Sequence, residues 1–283
     1  MEVLTTPGLM RRWAARCRAD GRRIGVVPTM GALHDGHLAL LEAVSARADA
    51  TVVTIFVNPL QFNQSADFDS YPRPIDDDLA TCERAGVDAV YAPTAAAMYP
   101  PGFQTHVELG DLAERLEGPM RPGHFRGVAT VVTKLLAATR ADVAAFGQKD
   151  FQQLAIIRQM VRDLDLGVEI VGVPIVREPD GLARSSRNVR LTADDRAAAV
   201  VLSRALRRAE ERFRDGERDP GVLRSVVVDH VATEPRADLE YVEVVDSNTL
   251  RRTDRATPPT SILLAAWFGD VRLIDNVLLD EPG

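Results

Sequence analysis

Lysine is almost missing from this chain of 283 residues: Lys134 and Lys149 are lysines among its 34 basic residues, and the others are arginines. Cysteine is as scarce, and Cys17 and Cys82 lie far apart in the sequence. Zinc sites and disulfide frameworks need several cysteines or histidines at short, regular spacings, and the sequence has no such pattern. The scarcity therefore predicts neither a structural metal nor disulfide cross-links.

Long apolar runs and an excess of positive charge are absent as well. No apolar segment approaches the ~20 residues that a membrane helix needs, and the first residues, MEVL, lack the basic and apolar regions of a signal peptide. The formal net charge of −7 argues against nucleic acid as the main partner, because such proteins carry a basic face. We expect a cytoplasmic protein that binds neither nucleic acid nor membranes.

The first part of the chain alternates strand-like and helix-like segments. Apolar runs predict strands at residues 23–27, 51–57, 89–91, 143–146 and 168–173, and helical patterns lie at 37–47, 75–85, 130–138 and 151–164. Continuous Val/Ile runs are typical of strands buried on both faces of a parallel sheet, and strands alternating with helices form right-handed βαβ units. Residues 1–176 are therefore predicted to form an α/β domain with a doubly wound parallel sheet.

The pattern changes after this point, and residues 177–283 are predicted to form a smaller α+β domain. A long helix is expected at 192–213 with Thr192 as its N-cap, followed by a polar linker and a second helix. Strand-like runs at 239–245, 261–268 and 271–279 are separated by short connections that suit antiparallel pairing.

The segment PTMGALHDGH at residues 28–37 is the most informative part of the sequence. It joins a predicted strand to a predicted helix, which places His34 and His37 at the start of that helix. Gly31 and Gly36 leave room for a ligand to approach, and the unpaired N–H groups of a helix N-terminus attract phosphate. The two imidazoles can donate hydrogen bonds to phosphate oxygens during nucleotidyl transfer. The alternative is that both histidines are surface residues of an ordinary loop.

Other polar segments also follow predicted strands, and ligands of doubly wound sheets bind at these strand ends. Lys149 is a compact cation suited to phosphate, and the adjacent Asp150 offers an oxygen ligand for Mg²⁺ or an N-cap for the next helix. The segment from Arg184 to Arg187 combines two hydroxyls and two guanidiniums, which suits phosphate binding as well as a solvated linker.

Neutral amides accompany these cationic groups. Gln61 and Gln153 can bind the hydroxyls and the carboxylate of a small polar acid without adding charge to a phosphate site, and Asn58 is predicted to join them; each could equally be a surface residue. The Gly/Pro-rich segment at 121–127 is predicted to be either a mobile lid or an ordinary connection.

Taken together, these motifs resemble the pantoate–β-alanine ligases (pantothenate synthetases). The resemblance rests on PTMGALHDGH (28–37), FVNPLQF (56–62), YPR (71–73), RPGHF (121–125), FGQKDFQQL (146–154) and SSRN (185–188). It implies a Rossmann-like domain with a smaller C-terminal domain, a cytosolic homodimer, and ATP, Mg²⁺, pantoate and β-alanine as reactants. One departure is Arg184, where family members are expected to carry Met or Leu.

The resemblance also implies roles for individual residues. His37 matches a proton donor and forms a catalytic set with His34 and Lys149. Gln61 matches a position that contacts pantoate and β-alanine, and Gln153 matches one that contacts pantoate; Asn58 is predicted to bind substrate beside them. The positions expected to contact ATP are Met30, Gly31, Ala32, Leu33, His34, Asp35, Gly36, His37, Gly147, Gln148, Lys149, Asp150, Val176, Arg184, Ser185, Ser186 and Arg187.

Two other functions share the first motif. A cytidylyl- or adenylyltransferase would use the histidine segment but would not need the paired glutamines. A non-catalytic nucleotide sensor would bind ATP and release no AMP.

Overall fold

A computed structural model describes residues 1–63 and 65–280. The chain forms two compact units, of which the first contains residues 1–148 and 156–174 and the second contains residues 149–155 and 175–283. Within the described residues, no helix is both long enough and apolar enough to cross a membrane.

The first unit contains a six-stranded parallel sheet with the strand order β1-β4-β3-β2-β5-β6. Its strands are β1 (Glu2–Leu4), β2 (Ile24–Thr29), β3 (Ala50–Ile55), β4 (Ala89–Tyr91), β5 (Val143–Gly147) and β6 (Glu169–Val173). Strands β2, β3 and β5 are buried almost throughout, as the continuous apolar runs predict. Because β2 pairs with both β3 and β5, the loops after these strands leave from the same edge of the sheet. The predicted Rossmann-like α/β fold is confirmed.

Helices connect the strands of the first unit. They are α1 (Pro7–Ala19), α2 (Asp35–Ser45), α3 (Ser65–Ser70), α4 (Ile75–Arg84), α5 (Ala95–Met98), α6 (Glu117–Met120), α7 (His124–Thr139) and α8 (Phe151–Asp163). Helix α7 begins six residues before the predicted start at Thr130, and the first residues of α8 belong to the second unit.

Helix α2, which follows the histidine segment, packs closely on the sheet. A Cβ on Gly25 in β2 would lie 2.1 Å from Cγ1 of Val44 and 2.9 Å from Cβ of Ala48. Leu40, Leu41 and Val44 contribute to a cluster of buried side chains on this side of the sheet. The close approach fixes where α2 begins relative to the end of β2.

The second unit has its own antiparallel sheet and hydrophobic core. Its helices are α9 (Ala193–Ala198), α10 (Val200–Arg214) and α11 (Pro220–Val231), and its strands are β7 (Asp238–Asp246), β8 (Thr260–Phe268) and β9 (Val271–Leu279). Strand β8 is central and pairs with both neighbours in antiparallel register. The predicted smaller α+β fold is confirmed.

The prediction of one long helix over residues 192–213 is wrong. Thr192 is the expected N-cap, with its hydroxyl accepting from the Asp195 N–H at 3.1 Å, but a turn at Ala199 separates α9 from α10. At that turn the N–H of Leu202 bonds to the carbonyl of Ala199, three residues back instead of four. Residue types give no sign of this break, because alanine and valine continue a helical pattern on both sides.

Replacing Gly25 by alanine should destabilise the first unit, because the new Cβ would force α2 to move. Overpacking of this kind costs about 1–3 kcal/mol, and urea unfolding should show a loss of that size. Gly8→Ala is the matched control, since its Cβ would meet no heavy atom closer than 3.7 Å and it lies in a helix, where alanine is favourable. Equal stability of the two variants would contradict the packing described for α2.

Candidate active site

The two histidines of the first motif cap helix α2 together. His34 is the N-cap residue, and its Nδ1 accepts a hydrogen bond from the N–H of Gly36 at 3.1 Å. Nδ1 of His37 accepts from the N–H of His34 at 3.2 Å, and the ring centroids are 4.1 Å apart. The predicted position of both imidazoles at the start of the helix is confirmed.

These caps determine which nitrogen of each ring carries the proton. A backbone N–H can only donate, so Nδ1 of His34 and Nδ1 of His37 are acceptors and each neutral ring has its proton on Nε2. An imidazole held in this tautomer offers Nε2–H as a donor. The Nε2 atom of each ring is not the nitrogen that forms the helix cap.

The expectation that unpaired backbone N–H groups at this turn attract phosphate needs correction. The N–H groups of His34 and Gly36 bond to the imidazoles, and those of Ala32 and Leu33 bond to the Asp78 carboxylate at 2.8 and 2.7 Å. The N–H of Gly31 donates to the Thr29 hydroxyl at 3.1 Å. The chain satisfies these amides itself, so they are already engaged in hydrogen bonds within the turn.

The packing of the turn explains why Gly31 and Gly36 are glycines. Gly31 has φ +85°, and a Cβ there would lie 2.8 Å from Oδ2 of Asp78. A Cβ on Gly36 would lie 2.8 Å from Cε1 of His34. A side chain at either position would collide with a group that shapes the turn.

Asp78 is the most important residue of this region that the sequence analysis missed. It lies in the first turn of α4, is 3% exposed, and its two carboxylate oxygens bind successive amides of the turn. Asp76 and Asp77 precede it and are exposed, so the run of aspartates resembles an acidic helix start. The signal that separates Asp78 from its neighbours is its spacing of four residues from the buried Cys82, which puts both on one helix face.

A second set of polar side chains, which we call the amide cluster, contains Asn58, Gln61 and Tyr99. Asn58 is 1% exposed; its Nδ2 donates to Oε1 of Gln61 at 3.0 Å and to the carbonyl of Gly127 at 3.1 Å. The Tyr99 hydroxyl donates to Oδ1 of Asn58 at 2.8 Å. Nε2 of Gln61 donates to Sδ of Met30 at 3.1 Å, which connects the cluster to the histidine segment.

The predicted lid at residues 121–127 is helical from His124 onward. His124 is buried in the first turn of α7, and its Nδ1 donates to the backbone carbonyl of Gln61 at 2.8 Å. A Cβ on Gly127 would lie 2.2 Å from the carbonyl oxygen of Leu60. Gly and Pro dominate the segment and favour a loop, but its residues from His124 onward are helical, and glycine allows α7 to approach the turn that carries Gln61.

In the second unit, residues 176–184 form a tight hairpin. Arg177 pairs with Ala183, and the N–H of Arg184 donates to the carbonyl of Val176 at 2.9 Å. Nε of Arg184 lies 3.8 Å from Oε1 of Glu178. The Arg184 cation, which is expected to depart from the family pattern, is thus partly balanced by a carboxylate of the same hairpin.

Two neighbouring residues of β9 hold this hairpin and the predicted phosphate-binding lysine. Asp275 is 3% exposed and accepts two hydrogen bonds from Arg177, at 2.7 and 3.0 Å. Nδ2 of Asn276 donates to the backbone carbonyl of Lys149 at 3.0 Å. The signal for both residues is an Asp-Asn pair inside a strand whose only other polar residue is Arg272.

The remaining predicted residues lie at or near element ends. Gly147 ends β5, and Gln148–Asp150 form a 3₁₀ turn directly before α8. Gln153 lies in the first turn of α8 and is partly buried. Ser185 caps the 3₁₀ helix Ser186–Arg190 by accepting from the N–H of Arg187 at 3.2 Å.

Asp78→Asn should lower the stability of the protein. The amide keeps the shape of the carboxylate but turns one acceptor into a donor that faces a backbone N–H, and a buried unsatisfied pair costs about 1–3 kcal/mol. Asp77→Asn, on the exposed side of the same helical turn, is the control and should unfold in urea like the parent chain. Equal unfolding free energies for both variants would show that Asp78 does not hold the turn.

Comparison with known proteins points to one family. The family model described as pantoate-beta-alanine ligase matches residues 2–278. The chain is 51% identical over 280 residues to the pantothenate synthetase of Heliobacterium modesticaldum, covering 99% of this chain and 100% of that one. It is 55% identical over 267 residues to that of Chloroflexus aggregans, covering 94% and 96%.

Solved structures agree as well. The pantothenate synthetase of Thermus thermophilus superposes with a TM-score of 0.94 at 41% identity, covering 100% of both chains. The pantoate-beta-alanine ligase of Francisella tularensis, complexed with beta-gamma ATP and beta-alanine, has a TM-score of 0.80 at 32% identity, covering 100% of this chain and 99% of that one. With its sequence and its fold matched over nearly their whole length, this chain belongs to the pantoate–β-alanine ligase family.

Proposed function

We propose that this protein catalyses the ATP-dependent condensation of (R)-pantoate with β-alanine, giving pantothenate, AMP and pyrophosphate through a pantoyl-adenylate intermediate. The observation that carries the proposal is the contact between Nε2 of Gln61 and Sδ of Met30 at 3.1 Å. It joins an amide suited to an organic acid to the segment whose histidines are suited to phosphate. A ligase needs both groups side by side, whereas a transferase that leaves the nucleotide on its product needs no acid-binding amide, so the alternative transferase function is not favoured.

In the first step a pantoate carboxylate oxygen attacks the α-phosphorus of ATP. The new C–O–P linkage forms as the bond from the α-phosphorus to the bridging oxygen breaks, and pyrophosphate leaves with that electron pair. The carboxylate is already a nucleophile, so the enzyme needs alignment and charge stabilisation more than a strong base. Gln61, Gln153 and Asn58 are proposed to bind and align the acid.

The leaving pyrophosphate gathers negative charge, and donors held in place beforehand stabilise it. His34 and His37 supply Nε2–H groups in a fixed tautomer, and His37 is proposed to be the proton donor. Lys149 supplies a positive point charge. The side chain of Asn276 holds the backbone of Lys149 in place through a hydrogen bond to its carbonyl. These three residues form the proposed catalytic set.

In the second step the neutral amine of β-alanine attacks the acyl carbon of the adenylate. The C–N bond forms, the C–O bond to AMP breaks, and the amine nitrogen loses its proton. The other proposed ATP contacts are Gly31, Ala32, Leu33, Asp35, Gly36, Gly147, Gln148, Val176, Arg184, Ser185, Ser186 and Arg187, together with Met30 and Asp150.

Mg²⁺ is proposed as the metal that accompanies ATP. Asp150 is an exposed carboxylate directly before α8, and a single carboxylate together with substrate phosphate oxygens and water suits this ion. When bound, Mg²⁺ would neutralise part of the phosphate charge. The donor set on the chain fits that role.

Homodimer formation and a cytoplasmic location are proposed from the family resemblance. Light scattering coupled to gel filtration measures the mass of the protein in solution. A mass equal to that of one chain would refute the homodimer.

An assay for AMP with each substrate omitted in turn tests the proposed reaction. AMP should form with ATP, pantoate and β-alanine together, and pyrophosphate exchange into ATP should require pantoate and not β-alanine. Exchange that proceeds without pantoate would indicate a nucleotidyltransferase. ATP binding without any release of AMP would indicate a sensor.

His37→Ala and Lys149→Ala should each slow adenylate formation by about 10²–10³, the usual effect of losing one preorganised donor. Rapid-quench measurement of pantoyl adenylate in a single turnover isolates this step from product release.

His230→Ala is the matched control for these variants, since His230 lies in α11 and has no proposed part in the reaction. It should form the adenylate at the parent rate. Near-parental rates for His37→Ala and Lys149→Ala would refute their assignment.

A further inference from the structure

The two ends of the Gln61 carboxamide are nearly equal in shape, but neighbouring backbone groups allow its orientation to be assigned. The N–H of Leu60 can only donate, and it lies 3.3 Å from Oδ1 of Asn58. The carbonyl of Gly127 can only accept, and it lies 3.1 Å from Nδ2 of Asn58. Both ends of the Asn58 amide are thereby assigned.

The orientation of the Asn58 amide also determines the hydrogen-bonding roles of the side chains that contact it. Nδ2 of Asn58 donates at 3.0 Å to the nearer end of the Gln61 amide, which must therefore be Oε1. The other end of Gln61 is Nε2, and it lies on the side of Met30. The Tyr99 hydroxyl, 2.8 Å from Oδ1 of Asn58, must be a donor.

We propose that Tyr99 is a positioning residue for the acid substrate: by donating to Asn58 it holds Gln61 with its N–H side toward the Met30 segment. This role rests on the proposed function. An N–H donor binds carboxylate and hydroxyl oxygens and does not bind an ammonium group. The orientation therefore favours pantoate over the amine end of β-alanine at Gln61.

The surroundings of Tyr99 suit this role. Its ring lies 5.0 Å from that of Phe103 and 6.1 Å from that of Phe56, measured between centroids. Burial raises the pKa of the Tyr99 phenol, so the hydroxyl keeps its proton at neutral pH. A phenylalanine would keep the ring packing and lose only the donor.

Tyr99→Phe should raise the KM for pantoate about tenfold, the usual worth of one hydrogen bond, with little change in the KM for ATP or in the thermal midpoint. Tyr91→Phe is the matched control. Tyr91 is fully buried, and its hydroxyl donates to Sδ of Met98 at 3.4 Å and not to a residue of the amide cluster. Its loss should leave the KM for pantoate unchanged.

A double-mutant cycle with Gln61→Ala distinguishes positioning from direct contact with the substrate. If Tyr99 acts through Gln61, adding Tyr99→Phe to Gln61→Ala should cause no further rise in the KM for pantoate. A full tenfold rise in that background would overturn the proposal, as would a Tyr99→Phe variant that behaves like Tyr91→Phe. A parent chain that forms no AMP from ATP in the presence of pantoate and β-alanine would instead overturn the proposed function.

Discussion

The turn between β2 and α2 must satisfy its own backbone N–H groups, and the proposed chemistry depends on how it does so. The amides of Ala32 and Leu33 bond to Asp78, and those of His34 and Gly36 bond to the two imidazoles. The turn therefore does not offer these amides to phosphate. It places two Nε2–H donors in a fixed tautomer at the start of a helix, which favours developing negative charge with little reorganisation.

In each unit, buried polar side chains also hold a residue that is proposed to act in the reaction. In the first unit Nδ2 of Asn58 donates to Gln61 and to the carbonyl of Gly127, while its Oδ1 accepts from the N–H of Leu60. In the second unit Asp275 and Asn276 of β9 hold Arg177 and the backbone of Lys149. Buried polar groups are costly unless their partners are in place, so each network constrains the residue proposed to act in the reaction.

Periodicity predicted the elements that are long and regular. The buried runs in β3 and β5, the start of α8 and the antiparallel strands of the second unit follow directly from it. Strand β1 is too short to carry a period. Helix α1 was not predicted even though Thr6 caps it before Pro7 and its buried residues recur at helical spacing. The break at Ala199 depends on a local change of hydrogen bonding that residue types do not encode.

For the site, residue types predicted the groups that are proposed to carry the chemistry, because imidazole, ammonium and amide groups can all donate hydrogen bonds to an anionic ligand. They did not predict Asp78, Tyr99 or Asn276, whose importance comes from partners distant in sequence. The central claim, attack of the pantoate carboxylate on the α-phosphorus, is tested most directly with pantoate labelled with ¹⁸O in its carboxylate. Mass spectrometry should find one labelled oxygen in the AMP. Unlabelled AMP formed together with pantothenate would contradict the account.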